Sequence, residues 1–154
     1  MAQRWKPNVT VAAVIERQGR YLLVEEETAD GLRLNTPAGH LDPGESPAEG
    51  CVRETLEETA HRFTPTAVVG IYLARTRQPK DITYLRFAFT GTLGDFEPAR
   101  PLDHGIVRTL WMTVDEIRAS AARHRSPLLL QCVEDHLAGK RYPLELVRVD
   151  PSIG

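Results

Sequence analysis

The sequence has few cysteines, no excess of charge of one sign and no long hydrophobic run. Two cysteines, Cys51 and Cys132, occur in 154 residues, too few for a disulfide framework, and both lie in helix-like runs where a free thiol packs as a small apolar group. The net charge is −2, which excludes a bulk positive field for a nucleic acid polymer or a membrane surface. The apolar runs fall far short of the roughly 20 residues that cross a bilayer. These absences predict a soluble, cytoplasmic protein with reduced thiols.

What remains is the composition of an ordinary globular domain. Hydrophobic residues make up 42% and charged residues 26% of the chain, which excludes wholesale disorder, collagen and coiled coil. A chain of this length can bury roughly 70% of its unfolded surface. We therefore expect residues 1–154 to form one domain, because no repeat, linker or low-complexity segment divides them.

Turn residues and apolar alternation predict a mixed α+β fold. The first helix begins with Ser46 as N-cap, Pro47 in the first turn and Glu49 three residues after the cap, a capping-box pattern. Two later helices begin at Thr113 and at Ser126-Pro127. The predicted helices span residues 47–59, 113 onwards and 127–139, and the predicted strands span 9–15, 21–24, 67–74, 82–92, 110–112 and 144–149, with the first two strands paired as a hairpin.

Three carboxylates share one face of the first predicted helix. At about 100° per residue, Glu57 and Glu58 lie within about 60° of Glu54 on either side. Like charges at these spacings repel by a few tenths of a kcal/mol per pair, so the cluster needs a positive charge that compensates this repulsion. Arg53, four residues before Glu57, provides one on a solvated face. A hard divalent cation, which takes oxygen ligands, would provide another.

The loop in front of this helix favours the cation. Residues 36–45 contain two prolines and two glycines. Gly39 permits a close backbone approach, and Glu45 precedes the N-cap, where a negative charge suits the helix dipole. Such a loop can add backbone carbonyls to the carboxylates around one ion, although turn glycines and a dipole-stabilising glutamate are the simpler alternatives.

Together these residues resemble the sequence motif of the Nudix hydrolases, G-x5-E-x7-R-E-U-x-E-E-x-G-U, in which U is a bulky apolar residue. The resemblance spans residues 39–61 and departs from the motif at Thr55, Ala60 and His61. Because alanine adopts the left-handed conformation less readily than glycine, by about 1 kcal/mol, we expect the helix to continue a little past Ala60 and to stop before Thr64-Pro65. The glycine and charged positions that match at the correct spacing are Gly39, Glu45, Arg53, Glu54, Glu57 and Glu58.

Outside the motif, the chain is similar to one bacterial subfamily, the NudJ-type phosphatases. The segments that carry this similarity are residues 6–12, 37–41, 85–87, 125–128 and 141–145. The similarity thus covers nearly the whole chain. It implies a Nudix-type α/β/α sandwich with a mixed sheet.

The resemblance implies an enzyme that hydrolyses phosphoric anhydrides with Mg²⁺ or Mn²⁺. The implied substrates are nucleoside tri- and diphosphates and small pyrophosphates such as the thiamine-precursor pyrimidine pyrophosphate, with dinucleoside polyphosphates or ADP-ribose as alternatives. Three carboxylates would repel such a polyphosphate unless cations lay between them. A non-catalytic nucleotide-binding domain and a structural protein with an acidic surface helix are the alternatives of other classes. The expected partner is a small phosphorylated molecule, and the expected assembly is a monomer or a small homo-oligomer.

The resemblance also implies roles for the residues of the motif. Glu57 and Glu58 are implied to bind the metal ion, with the carbonyl of Gly39 as a third ligand. Glu54 is implied to be either a ligand or the base that takes the proton from the attacking water. Arg53 is implied to orient Glu57 by an ion pair.

Further candidates support these residues or lie outside the motif. Glu45 is implied to fix the geometry between the loop and the helix. Many family members use another carboxylate from a late loop, which here spans residues 100–106. Gly105 occupies the usual acidic position, and the alternatives are that Asp103 or His104 substitutes for it or that the loop is simply exposed to solvent. Four further residues are candidates for contacts with the substrate: Arg86, Arg125, Tyr84 and His40. For each of them the alternative is an ordinary role on the surface, in core packing or in a loop.

Overall fold

Two four-stranded β-sheets and three α-helices make up the computed structural model, which describes residues 3–154. The predicted α+β class is therefore confirmed. Within the described residues, no helix is both long and apolar enough to span a membrane. The strands are β1 (Asn8–Ala13), β2 (Glu16–Arg17), β3 (Arg20–Thr28), β4 (Gly31–Asn35), β5 (Ala38–His40), β6 (His61–Thr76), β7 (Ile82–Phe96) and β8 (Ile106–Thr113). The helices are α1 (Pro47–Thr59), α2 (Val114–Ala119) and α3 (Leu128–Leu137).

The first sheet is mixed, as the resemblance implied. Its strand order is β5-β1-β7-β6; β1 and β7 run parallel, whereas the other two pairs are antiparallel. Alternate residues of β1 and β7 face opposite sides. On one side, Val11 and Phe89 belong to the same core cluster as Cys51 of α1. On the other side, Ala88 of β7 belongs to the same cluster as Cys132 of α3. The sheet thus lies between two helices.

The predicted hairpin between residues 9–15 and 21–24 forms only next to its turn. There β2 pairs with the start of β3, and the Ile15 carbonyl oxygen accepts a hydrogen bond of 2.9 Å from the Leu22 N–H, whereas β1 lies in the interior of the mixed sheet between β5 and β7. Residues 11–13 are almost entirely buried. A continuous apolar run buried on both faces is typical of a central strand rather than a hairpin arm with one wet face. The second sheet instead pairs β3 with β2, β4 and β8.

Helix α1 has the predicted start, but the expected continuation past Ala60 is wrong. The Ser46 side chain accepts a hydrogen bond from the Glu49 N–H, and the Glu49 carboxylate accepts one from the Ser46 N–H. The helix ends at Thr59, with Ala60 left-handed at φ 59°. Strand β6 follows at once and pairs along β7. These pairings outweigh the roughly 1 kcal/mol cost of the left-handed alanine.

The predicted strand over residues 144–149 is also wrong. A short 3-10 helix spans Leu144–Leu146. Tyr142 pairs with Val68 of β6 through two backbone hydrogen bonds of 2.8 Å. The 3-10 helix begins two residues later, so the pairing with β6 ends at this bridge.

A buried carboxylate on β3 predicts a pH-dependent contribution to stability. Glu25 is 5% exposed and pairs with Arg108 and Arg123, and the hydrogen bond from Arg108 is the main cause of its lowered pKa. We expect Glu25→Gln to lower the free energy of unfolding at pH 7 by about 1–2 kcal/mol. A lowered pKa stabilises the folded state above the unfolded-state pKa. The deficit should therefore shrink as the pH falls below about 4.

Urea unfolding at neutral and acidic pH tests this, with the exposed neighbour Glu27→Gln as the matched control. Surface substitutions of that kind change stability by at most about 0.5 kcal/mol. A Glu25→Gln deficit of the same size at both pH values would contradict the assignment.

Candidate active site

Two of the motif carboxylates are buried where α1 packs against β5. Glu54 is 9% and Glu58 is 6% exposed. Glu58 Oε1 accepts a hydrogen bond of 2.9 Å from the Ala38 N–H. A Cβ added to Gly39 would lie 2.1 Å from Cδ of Glu54, so the Glu54 carboxylate rests directly against the glycine backbone. The glycine of the loop and the glutamates of the helix are thus brought together.

Burial makes these carboxylates hard to ionise. It is the largest cause of the raised pKa of Glu58, about 8, and of Glu54, about 7. Neighbouring negative charges, the Asp103 carboxylate among them, add to both shifts, whereas the Ala38 N–H and Arg53 oppose them. A buried negative charge is costly unless a cation or hydrogen bonds compensate it. The site therefore has the electrostatics of a cation-binding pocket.

Arg53 is the main compensating charge among the described residues of this site. Its Nη2 and Nε donate to Glu45 at 2.7 and 3.0 Å, and its Nη1 donates to Glu54 at 2.9 Å. The predicted ion pair with Glu57 is present at 3.3 Å. Nη2 also donates to the carbonyl oxygen of His40 at 2.9 Å. Arg53 thus links the helix to the loop, and Glu45 is its most closely held partner.

Asp103, proposed from sequence as an extra carboxylate, lies near this cluster. Its backbone N–H donates to the Glu57 carbonyl oxygen at 2.8 Å, which docks the late loop on α1. Its negative charge is among the causes of the raised pKa values of Glu54 and Glu58. His104 stands next to it and donates its backbone N–H to the Asp103 side chain.

Sequence reasoning missed Glu26. Its charge raises the pKa of Glu58, and its carboxylate pairs with Arg125. Residues 25–27 are three consecutive glutamates, and nothing in their spacing shows which of them belongs to a site. Alternation along β3 separates Glu26 from Glu25, and the register shift between these residues opposite β8 sets their exact placement.

The candidates for substrate contacts divide between two places. His40 of β5 and Tyr84 and Arg86 of β7 share the face of the mixed sheet that is turned towards α3. The rings of His40 and Tyr84 are 6.3 Å apart between centroids. Arg125 lies elsewhere, beside Glu26, with its N–H bonded to Leu34 of β4 at 2.9 Å.

The oxygen atoms of this site are of the kind that binds a hard divalent cation. Carboxylate and carbonyl oxygens are the ligands that Mg²⁺ takes, and Glu58 has only one neutral N–H to offset its burial. Among residues 3–154, no three His, Cys, Asp or Glu side chains are arranged to hold a metal ion as they stand. Arg53 engages Glu54 and Glu57 instead, so a cation would have to compete with that guanidinium.

The contact at Gly39 gives a sharp prediction. A Cβ there would overlap the Glu54 carboxylate at 2.1–2.4 Å, so the end of the Glu54 side chain must move. We expect Gly39→Ala to lower kcat by about 100-fold, as displacement of a reacting group by about 1 Å does, while Tm falls only slightly. Gly94→Ala, where the nearest atom would be 3.3 Å away, is the control. Equal activity of the two variants would contradict the placement of Glu54 in the catalytic site.

Comparison with known proteins places this chain among Nudix proteins. Residues 4–132 match the family model for the NUDIX domain. Phosphatase NudJ of Escherichia coli strain K12 is 37% identical over 144 residues, which covers 93% of this chain and 92% of that protein.

Solved structures of Nudix proteins also match this fold. A NUDIX hydrolase from Nitrosomonas europaea superimposes with a TM-score of 0.90 at 54% identity and covers 94% of this chain and 98% of its own. A bifunctional NMN adenylyltransferase/ADP ribose pyrophosphatase from Francisella tularensis, complexed with AMP and a manganese ion, has a TM-score of 0.62 at 18% identity. That match covers 90% of this chain and 43% of the other, and it shows the fold alone.

Proposed function

The chain belongs to the Nudix hydrolases, enzymes that act on phosphoric anhydrides with divalent metal ions, and on that premise we propose its substrates and its metal. It hydrolyses nucleoside tri- and diphosphates and small pyrophosphates such as the thiamine-precursor pyrimidine pyrophosphate, with Mg²⁺ or Mn²⁺. The observation that carries the proposal is the pair of buried carboxylates, Glu54 and Glu58, against the backbone of Gly39. The 37% identity with phosphatase NudJ supports the choice of small substrates.

Each residue of the site has a part in this reaction. Glu57, Glu58 and the carbonyl of Gly39 would hold the metal ion. A bound divalent ion neutralises charge on the phosphate oxygens and acidifies water. Arg53 and Glu45 position the helix against the loop through their two hydrogen bonds. Asp103 adds a carboxylate from the opposite loop.

Glu54 is the residue best suited to accept the proton of the attacking water. Its pKa of about 7 lies near neutral pH, where a general base is most effective. The alternative role for Glu54 is that of a further metal ligand. Glu54→Gln should then weaken metal binding as well as turnover, whereas the loss of a base lowers kcat and leaves the metal affinity nearly unchanged.

A substrate panel tests the proposal. Phosphate and pyrophosphate release are measured separately for nucleoside di- and triphosphates, the pyrimidine pyrophosphate, diadenosine polyphosphate and ADP-ribose, with and without Mg²⁺. Mg²⁺-dependent turnover of the first two groups is the expected result. Turnover confined to diadenosine polyphosphate or ADP-ribose would replace the proposed substrate class. Nucleotide binding without any product would favour the non-catalytic alternative.

The compartment and the assembly are part of the same proposal. Cys51 and Cys132 are free and buried, which suits an enzyme of the reducing cytoplasm. The expected assembly is a monomer or a small homo-oligomer, and size-exclusion chromatography with light scattering measures it directly.

A further inference from the structure

Arg86 is a buried cation without an anionic partner in the middle of the mixed sheet. It lies on β7 and is 5% exposed. Its Nε and Nη1 are shielded from solvent and have no acceptor among residues 3–154. None of the ion pairs within those residues includes it. Arginine keeps its charge at any working pH, so the folded chain carries a desolvated charge that its own residues do not neutralise.

A second unpartnered group stands beside Arg86. Thr10 of β1 is the direct cross-strand partner of Arg86, and its buried Oγ1 also has no hydrogen-bond partner. Both side chains face α3, where the Arg86 charge acts on the Cys132 thiol. The hydroxyl of Tyr72, on the other side of Arg86, donates to Asp135 at 2.7 Å. Buried polar groups are nearly always satisfied in native proteins, so two adjacent exceptions point to a missing ligand.

The carboxylate site lies on the opposite face of the sheet, across the edge strand β5. His40, which is exposed, pairs with Thr10 across β1 and β5. Neighbouring strands lie about 4.8 Å apart, so the backbone of Arg86 is about 10 Å from that of His40. Gly39, the residue before His40, contacts Glu54. A ligand bound at the carboxylates would reach Arg86 around the edge strand β5, on the side where His40 is exposed.

We propose that Arg86 and Thr10 bind a phosphate group of the substrate, on the face of the mixed sheet opposite α1. A neutral acceptor would satisfy the donors but would leave the charge buried, whereas a phosphate satisfies both. The identity of the ligand as substrate rests on the proposed function. The binding of phosphate oxygens by Arg86 does not.

Metal-free thermal unfolding with sodium pyrophosphate tests this binding, in EDTA and against sodium chloride of equal ionic strength. Pyrophosphate should raise the Tm of the wild type and leave that of Arg86→Met unchanged. Without ligand, Arg86→Met should unfold at a higher temperature than the wild type, because an uncompensated buried charge has been removed. Arg75→Met replaces an exposed arginine that is paired with Asp81, and this control should keep the full pyrophosphate effect.

In turnover, Arg86→Met should raise KM by about 10- to 100-fold, the value of one or two charged hydrogen bonds, with a smaller change in kcat. Thr10→Val should raise it less, and Arg86→Lys should be intermediate. If Arg86→Met does not fold, the KM values of Thr10→Val and Arg86→Lys are compared with that of the wild type instead.

The proposal is overturned if pyrophosphate fails to stabilise the wild type, or if it stabilises Arg86→Met equally. It is also overturned if Arg86→Met lowers Tm with KM unchanged. Glu58→Gln separates this outcome from the proposed function, because it should lose turnover and keep the pyrophosphate effect. A Glu58→Gln enzyme with wild-type turnover would remove the proposed catalytic site and leave the binding of pyrophosphate at Arg86 intact.

Discussion

Replacement of Glu58 with glutamine should nearly abolish Mg²⁺-dependent hydrolysis while the protein stays folded. The Glu58 carboxylate is buried at the junction of α1 and β5 and is held by one backbone N–H. Glutamine preserves its volume and an oxygen acceptor for Ala38, but it removes the negative charge that would bind the ion. Because a bound ion supplies several kcal/mol of charge stabilisation, we expect kcat to fall by at least about 100-fold.

Glu49→Gln on the same helix is the matched control. Glu49 is exposed and completes the capping box with Ser46, and glutamine serves that position as well as glutamate does. Its activity and Tm should equal those of the wild type. Steady-state phosphate release measures the turnover of both variants, and thermal unfolding shows whether both are folded. Undiminished turnover by folded Glu58→Gln would remove Glu58 from the metal site.

Arg53→Met should have the largest effect on stability. This one guanidinium holds Glu45, Glu54 and Glu57, together with the carbonyl of His40. Its loss leaves three carboxylates near each other without their cation. Removal of one partner of a fully buried pair costs about 3–5 kcal/mol. Since the Arg53 side chain is 27% exposed, we expect the free energy of unfolding to fall by about 2 kcal/mol.

The same substitution should also lower kcat, because the loop that carries Gly39 loses the hydrogen bonds by which Arg53 holds it to the helix. Arg118→Met is the control for stability. Arg118 lies on α2 and makes exposed ion pairs with Asp115 and Glu134, which contribute at most about 1 kcal/mol. Urea unfolding of the two variants gives the comparison. Equal stability of the two would mean that the contacts of Arg53 are no stronger than those of a surface arginine.

The local parts of this fold could be predicted from the sequence because short-range chemistry determines them. The capping box of Ser46 and Glu49 specifies where α1 begins. Helical geometry places Glu54, Glu57 and Glu58 on one face, and the structure adds the contact between Glu54 and Gly39. Their roles in binding a metal ion stay predictions.

The errors arise where distant pairing overrides local preference. The run 9–15 is as apolar as a hairpin strand, but its burial between β5 and β7 depends on segments far along the chain. Ala60 adopts a left-handed conformation because β6 must turn back to pair with β7. Glu26 comes near Glu58 through its place on β3, and the burial of Arg86 depends on the pairing of β7 with β1 and β6. The spacing of residues in the sequence predicts neither the position of Glu26 nor the burial of Arg86.

The most direct test of the central claim is the binding of Mn²⁺ to the protein, followed by electron paramagnetic resonance with Mg²⁺ as competitor. The wild type should bind Mn²⁺ at a site from which Mg²⁺ displaces it, and Glu57→Gln and Glu58→Gln should each weaken that site, with Glu49→Gln unchanged. Mn²⁺ binding of equal strength in all of these proteins would contradict the assignment of the α1 carboxylates as the metal site of this hydrolase.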